Sequence, residues 1–123
     1  MSEEETGIDW DSLTFSFTPT DMMYVATCKL GEDWQPGELQ PFAEISISPA
    51  AGVLNYGQGI FEGMKAYKLS DGSTALFRPD ANARRFNESA TRMAMPHVPQ
   101  ELFVESVEQL VRIDSEWFPK VEG

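Results

Sequence analysis

A chain of 123 residues with 20 acidic side chains against 9 lysines and arginines has a formal charge of −11, which excludes the basic face that binding to a nucleic-acid backbone requires. Hydrophobic residues at 41% and charged residues at 24% are the balance of an ordinary globular protein, long enough for one domain with a modest core. Cys28 and His97 each stand alone, so no intrachain disulfide and no His/Cys metal cluster can form, a reducing cytoplasm suits the thiol, and no apolar run approaches a membrane span.

In chain order, residues 1–6 hold three glutamates and no basic residue, unlike a signal or transit peptide, which carries positive charge. Residues 1–12 are expected to be disordered or extended, residues 13–119 to form a small domain, and residues 120–123 to be a tail. Residues 13–17 alternate as a short strand. MMYVATCKL at 22–30 reads as a longer one closed by Gly31, and 39–47 as one or two more, with Pro41 breaking any continuous ladder. Several strands before the first helix indicate an α+β class rather than a βαβ array.

The stretch 52–85 has the highest information density. Gly57, Gly59 and Gly63 are interleaved with Tyr56, Phe61 and Glu62. No strand-then-helix pattern surrounds them, so they do not form a dinucleotide fingerprint. Spacing alone favours a strand with bends where other backbone approaches closely, while the aromatic rings also suit a pocket wall. Ser70-Asp71-Gly72-Ser73 then predicts a β-hairpin with a type I′ turn at Asp-Gly. That register places Leu69 opposite Thr74, Tyr67 opposite Leu76 and Ala66 opposite Phe77. It also sets Lys65 across from Arg78, a like-charge pair that needs solvent, a carboxylate or an anion.

Pro79 and Asp80 suit a helix start. Ala83, Phe86, Ala90 and Met93 then share an apolar face, and Arg84 is spaced to pair with Glu88. Arg85 falls off that stripe, on a line with Ser89 and Arg92. Such a line is ordinarily a solvated face; within so acidic a chain it also has the local charge an anionic cofactor needs. A second helix is expected from near 99–101, with Phe103, Val107, Leu110, Val111 and Asp114 on one side. Trp117-Phe118-Pro119 ends it, and those rings are expected to pack on this domain or on a later part of the protein.

Three segments in order, Phe61-Glu62-Gly63-Met64-Lys65-Ala66-Tyr67, Phe77-Arg78-Pro79 and Asn82-Ala83-Arg84-Arg85, resemble the small N-terminal domain of branched-chain amino acid aminotransferases, fold-type IV enzymes that use pyridoxal 5'-phosphate. The resemblance runs from about Phe15 to Pro119 and covers the first third or so of a family member. It implies strands with a hairpin followed by two helices packed on the sheet. It also implies a large C-terminal cofactor domain that these residues do not include, and a homodimer.

By that resemblance Arg85 matches the arginine that holds the cofactor phosphate, a task suited to a guanidinium fork. Phe61 and Phe15 match aromatics of the pocket for an aliphatic side chain. Tyr56 matches a tyrosine presented to the neighbouring subunit's active site. The implied substrates are Leu, Ile and Val with 2-oxoglutarate, and an apolar wall is what those side chains require. The family's Schiff-base lysine lies in the large domain, and Lys29, Lys65, Lys68 and Lys120 all fall outside its motif, so the 123 residues alone are expected to be inactive. Two alternatives stay open: another fold-type IV enzyme, such as a D-amino acid aminotransferase or aminodeoxychorismate lyase, and a noncatalytic partner-binding domain.

Overall fold

The computed structural model describes residues 20–114. The strand expected at 13–17, with Phe15, and the Trp117-Phe118 pair lie outside the described residues. Two two-stranded antiparallel sheets and three helices follow in the order β1 (Met22–Val25), β2 (Glu38–Pro41), α1 (Gly52–Tyr56), β3 (Ala66–Lys68), β4 (Thr74–Leu76), α2 (Pro79–Arg92) and α3 (Gln100–Ile113). The architecture is α+β, as the strand-rich first half predicts.

β1 pairs with β2 from Met22↔Pro41 to Val25↔Glu38. The strand expected over 22–30 stops at Val25 because the chain turns. Gln35 N–H donates to the Thr27 carbonyl (2.9 Å) and Glu32 N–H to that of Lys29 (2.9 Å), and Gly31 takes φ 82°. Pro41, with no N–H to give, ends β2. Beyond it, Ile45 and Ile47 are exposed and no strand continues.

The bent strand expected around Gly57, Gly59 and Gly63 is not formed: residues 57–63 hold no strand. Just before them, residues Gly52–Tyr56 wind into the short helix α1, which Gly57 closes in the left-handed region at φ 65°. A glycine just after a helical turn is a stop signal, since it takes positive φ without a Cβ penalty. Of Gly57, Gly59 and Gly63, Gly59 alone has a close neighbour, a side chain rather than backbone: an added Cβ would lie 3.2 Å from Val53 Cγ2, while at Gly57 and Gly63 the space is open.

The hairpin is present with its register shifted by one residue. Ala66 faces Leu76, Tyr67 faces Ala75 and Lys68 faces Thr74. The loop holds three residues rather than two: Gly72 N–H donates to the Leu69 carbonyl (3.0 Å), and Leu69 N–H donates to that of Ser73 (2.7 Å). Only Gly72, at φ 87°, takes positive φ here, the pattern of a type I turn closed by a left-handed residue. Asp71 explains the choice. Its Oδ1 accepts from Ser73 N–H (2.9 Å) and from the Ser73 hydroxyl, a local bond that favours the ordinary turn over two left-handed residues. The shift also removes the like-charge pairing of Lys65 with Arg78.

Helix α2 starts at Pro79 with Asp80 in its first turn, and its inward face buries Ala83 (1% exposed) and Ala90 (0%). Helix α3 packs on α2 and on β1, so the two long helices pack on each other and α3 also lies against a sheet. Phe86 of α2 meets Phe103 of α3 with ring centroids 5.5 Å apart, tilted at 47°. Asn87 clamps the connection, its Nδ2 donating to the Val98 carbonyl (2.7 Å) while its Oδ1 accepts from Val98 N–H (2.8 Å). Arg84 pairs with Asp80 (3.8 Å) rather than with Glu88. Helical side chains lean back over the preceding turn, and Asp80 is the carboxylate there.

Candidate functional site

The segment between α1 and β3 lies along α2, pinned at both ends. Gln58 Nε2 donates to the Met93 carbonyl at the C-terminal end of α2 (2.9 Å), and near the other end Asn82 Nδ2 donates to the Gly63 carbonyl (3.0 Å). Between these ties Glu62 is brought against Arg85. Arg85 grips both oxygens of the carboxylate, Nε–H on Oε1 and Nη2–H on Oε2 at 2.7 Å, and Asn82 Nδ2 adds a bond to Oε2 at 2.9 Å. Asn82 precedes Arg85 by one helical turn, so one face of α2 carries both donors.

Burial divides this pair unequally. The Glu62 side chain is 7% exposed and that of Arg85 66%. The Arg85 hydrogen bonds hold the Glu62 carboxyl down at about 2, aided by Asn82, the Arg85 charge and Gly63 N–H, with burial opposing. Glu62 in turn pushes the Arg85 guanidinium upward. The pair is therefore fully charged at neutral pH. A guanidinium carries five N–H donors; two go to Glu62, which leaves three for another acceptor.

A cavity of about 480 Å³ opens beside the pair, lined among others by Gly59, Phe61, Glu62, Arg85, Ser89 and Arg92. Arg85, Ser89 and Arg92 follow one another at intervals of four and three residues, which stacks them along one helix face. Arg92 has no ion pair among the described residues, so it gives the cavity positive charge that Glu62 does not offset. Phe61 stands at the rim, 91% exposed. A smaller concavity, lined by Phe77, Arg78, Ala81, Asn82 and Arg85, also borders Arg85. Arg78 holds a left-handed backbone there at φ 47°, a conformation that costs a non-glycine residue of order 1 kcal/mol.

Of the residues singled out from sequence, Arg85 and Phe61 thus share one cavity. Tyr56 is 87% exposed at the end of α1 and is not among the lining residues, and Phe15 lies outside the described residues. Two residues that sequence reasoning gave no role, Glu62 and Asn82, organise the site. The only signal for them was an acid inside the Gly-Ile-Phe-Glu-Gly segment and an amide one turn before the arginine.

No family model matches the chain. Curated relatives do. A chloroplastic branched-chain amino acid aminotransferase of Humulus lupulus is 51% identical over 118 residues, which is 96% of this chain and 29% of that protein. A branched-chain-amino-acid transaminase of Bacillus subtilis is 42% identical over 94% of this chain and 32% of its own length. The chain is homologous to the branched-chain amino acid aminotransferases. A methionine aminotransferase of Arabidopsis thaliana is 43% identical over 95% of this chain and 33% of its own length. This chain therefore spans about a third or less of the relatives it matches.

Proposed function

We propose that this chain is the small domain of a branched-chain amino acid aminotransferase. In that reading Arg85 holds the phosphate of pyridoxal 5'-phosphate, Phe61 forms part of the wall for an aliphatic side chain, and Tyr56 and Phe15 serve the same pocket, Tyr56 across a dimer. The observation that carries the reading is the cavity in which Arg85, with three uncommitted N–H donors, stands beside Ser89, Arg92 and Phe61. This donor set fits a phosphate dianion: a guanidinium edge, a hydroxyl and a second cation around one concave space. The cofactor, when bound, supplies the electron sink for exchanging an amino group between an amino acid and a 2-oxo acid.

The chain's own residues bind and orient. Arg85 and Ser89 would hold the phosphate end, with Phe61 in the wall of the same cavity. Phe61 gives the substrate side chain an apolar surface with no hydrogen-bond demand, which suits Leu, Ile and Val and disfavours polar side chains. Among the described residues, Lys29, Lys65 and Lys68 do not line the cavity; in this reading the lysine that bonds the cofactor belongs to the family's large domain. Exposed Phe61 and Tyr56 support such a neighbour, because rings of that size gain most when covered.

The test uses the complete protein that carries this chain. It should transfer the amino group of Leu, Ile and Val to 2-oxoglutarate and show the absorbance of a cofactor–lysine imine, while the 123 residues alone do neither. Including methionine and D-amino acids in the panel separates the relatives. Arg85→Gln should lower cofactor affinity about tenfold or more, the worth of a charge-assisted hydrogen bond. Activity confined to D-amino acids, or unchanged affinity in Arg85→Gln, would overturn the reading.

A further inference from the structure

We propose that Glu62 is a positioning residue: held in turn by Asn82, it grips the Nε–Nη2 edge of Arg85 and reserves the remaining guanidinium donors for a phosphate group in the adjoining cavity. The inference rests on the phosphate-binding reading of Arg85 and goes beyond it, because Glu62 touches neither cofactor nor substrate.

Three observations carry it. First, the carboxylate is sealed while its partner is open, at 7% against 66% side-chain exposure; a pair serving stability alone has no need to leave its arginine facing a cavity. Second, every contact defines an orientation. Arg85 takes both oxygens, and Asn82 takes Oε2 while also tying itself to the Gly63 carbonyl, so the carboxylate cannot rotate without breaking its bonds to Arg85 and Asn82. Third, an exposed arginine side chain is otherwise a flexible stem with large rotamer entropy. Fixing it beforehand removes an ordering cost that a ligand would meet on binding.

The sign of one substitution separates positioning from simple charge. Glu62 puts a negative charge beside an anion site, so Coulomb's law alone predicts that Glu62→Gln tightens phosphate binding. Positioning predicts the reverse. A glutamine offers one acceptor oxygen where two are used, and its amide sets donor against donor at Arg85 or Asn82.

The experiment compares wild type, Glu62→Gln and Asn82→Ala in the complete protein, measuring dissociation constants for pyridoxal 5'-phosphate and for pyridoxal, which lacks the phosphate. The Arg85 Nε–H resonance is followed in parallel by NMR during titration with inorganic phosphate. Glu62→Gln is expected to weaken pyridoxal 5'-phosphate about tenfold with pyridoxal little changed, Asn82→Ala to weaken it less, and both to broaden or shift the Arg85 resonance before any ligand is added. Equal affinities across the three proteins, or tighter binding by Glu62→Gln, would overturn the proposal. Equal loss for both ligands would mean a structural role only, and also overturn it. If the wild type discriminates neither cofactor form, the Arg85 reading fails. The phosphate titration then still judges Glu62: no perturbation of Arg85 in Glu62→Gln sinks it.

Discussion

The two faces of α2 differ in what they ask of their side chains. The inward face is close-packed: Ala83 and Ala90 are buried, Phe86 meets Phe103, and Asn87 satisfies both polar groups of Val98. The outward face carries Arg85, Ser89 and Arg92 beside a cavity, and among the described residues Arg85 is anchored there, to Glu62. One helix thus serves as both scaffold and site. The inward face fixes where α2 lies, and the outward face holds groups that little in the core requires. Substitutions on the first should cost stability; at Ser89 and Arg92 on the second they should cost binding and leave the fold nearly unchanged.

The largest break in that contrast is expected at Ala90. With no exposure, it has no room for a larger side chain, and Ala90→Leu should destabilise by about 2–3 kcal/mol through overpacking. Arg92→Gln, half a turn further along, should stay within about 0.5 kcal/mol while weakening phosphate-bearing ligands. Denaturant midpoints with unchanged slopes would measure both. Next comes Asn87→Ala, which leaves the half-buried N–H and carbonyl of Val98 without these partners at a cost of about 2 kcal/mol. A much smaller loss would mean that water replaces the clamp and that α2 and α3 are held by their rings.

A smaller effect is expected from acid. The Glu62 carboxyl lies at about 2, below its ordinary 4.5, first because of the Arg85 hydrogen bonds. A depressed carboxylate contributes stability that is complete above its unfolded value and is lost as the pH falls through its folded one. The contribution should therefore fade between about pH 4.5 and 2, with solvent around the exposed Arg85 moderating its size. Glu62→Gln should be less stable than wild type at pH 6 and converge on it near pH 2. Parallel curves across that window would show that the pair adds nothing to the fold.

How far the sequence disclosed this depends on how local each signal is. The start of α2 at Pro79, its buried Ala83 and Ala90, and the start of α3 near Pro99 were legible because helix caps and periodicity act over a few residues. The hairpin was legible too, yet its register slipped by one: Asp-Gly signals a turn, and the Asp71–Ser73 side-chain bonds that select a three-residue loop are a finer choice. The bent strand expected around Gly57, Gly59 and Gly63 is absent, and the helix over Gly52–Tyr56 was not anticipated, because five residues are too few for a periodic signal. Arg85 and Phe61 were found through the family resemblance. Glu62 and Asn82 were not, since their roles depend on contacts across 23 and 20 residues of chain, which no local pattern reports.

The smallest effect gives the sharpest contrast, because Arg84 and Arg85 are neighbours of one residue type. Arg84 pairs with Asp80 at 3.8 Å, with side chains 64% and 47% exposed. An ion pair that open, one helical turn apart, is worth under about 0.5 kcal/mol. Arg84→Gln should therefore leave stability and cofactor affinity where they were. Arg85→Gln should strip a sealed carboxylate of its partner, lift the Glu62 titration toward ordinary values and weaken phosphate binding. Both variants carry the same change in net charge, so any difference between them comes from position. If Arg84→Gln weakened the cofactor as much, the cavity would be attracting anions by general charge, and the oriented Arg85–Glu62 pair would not be the reason.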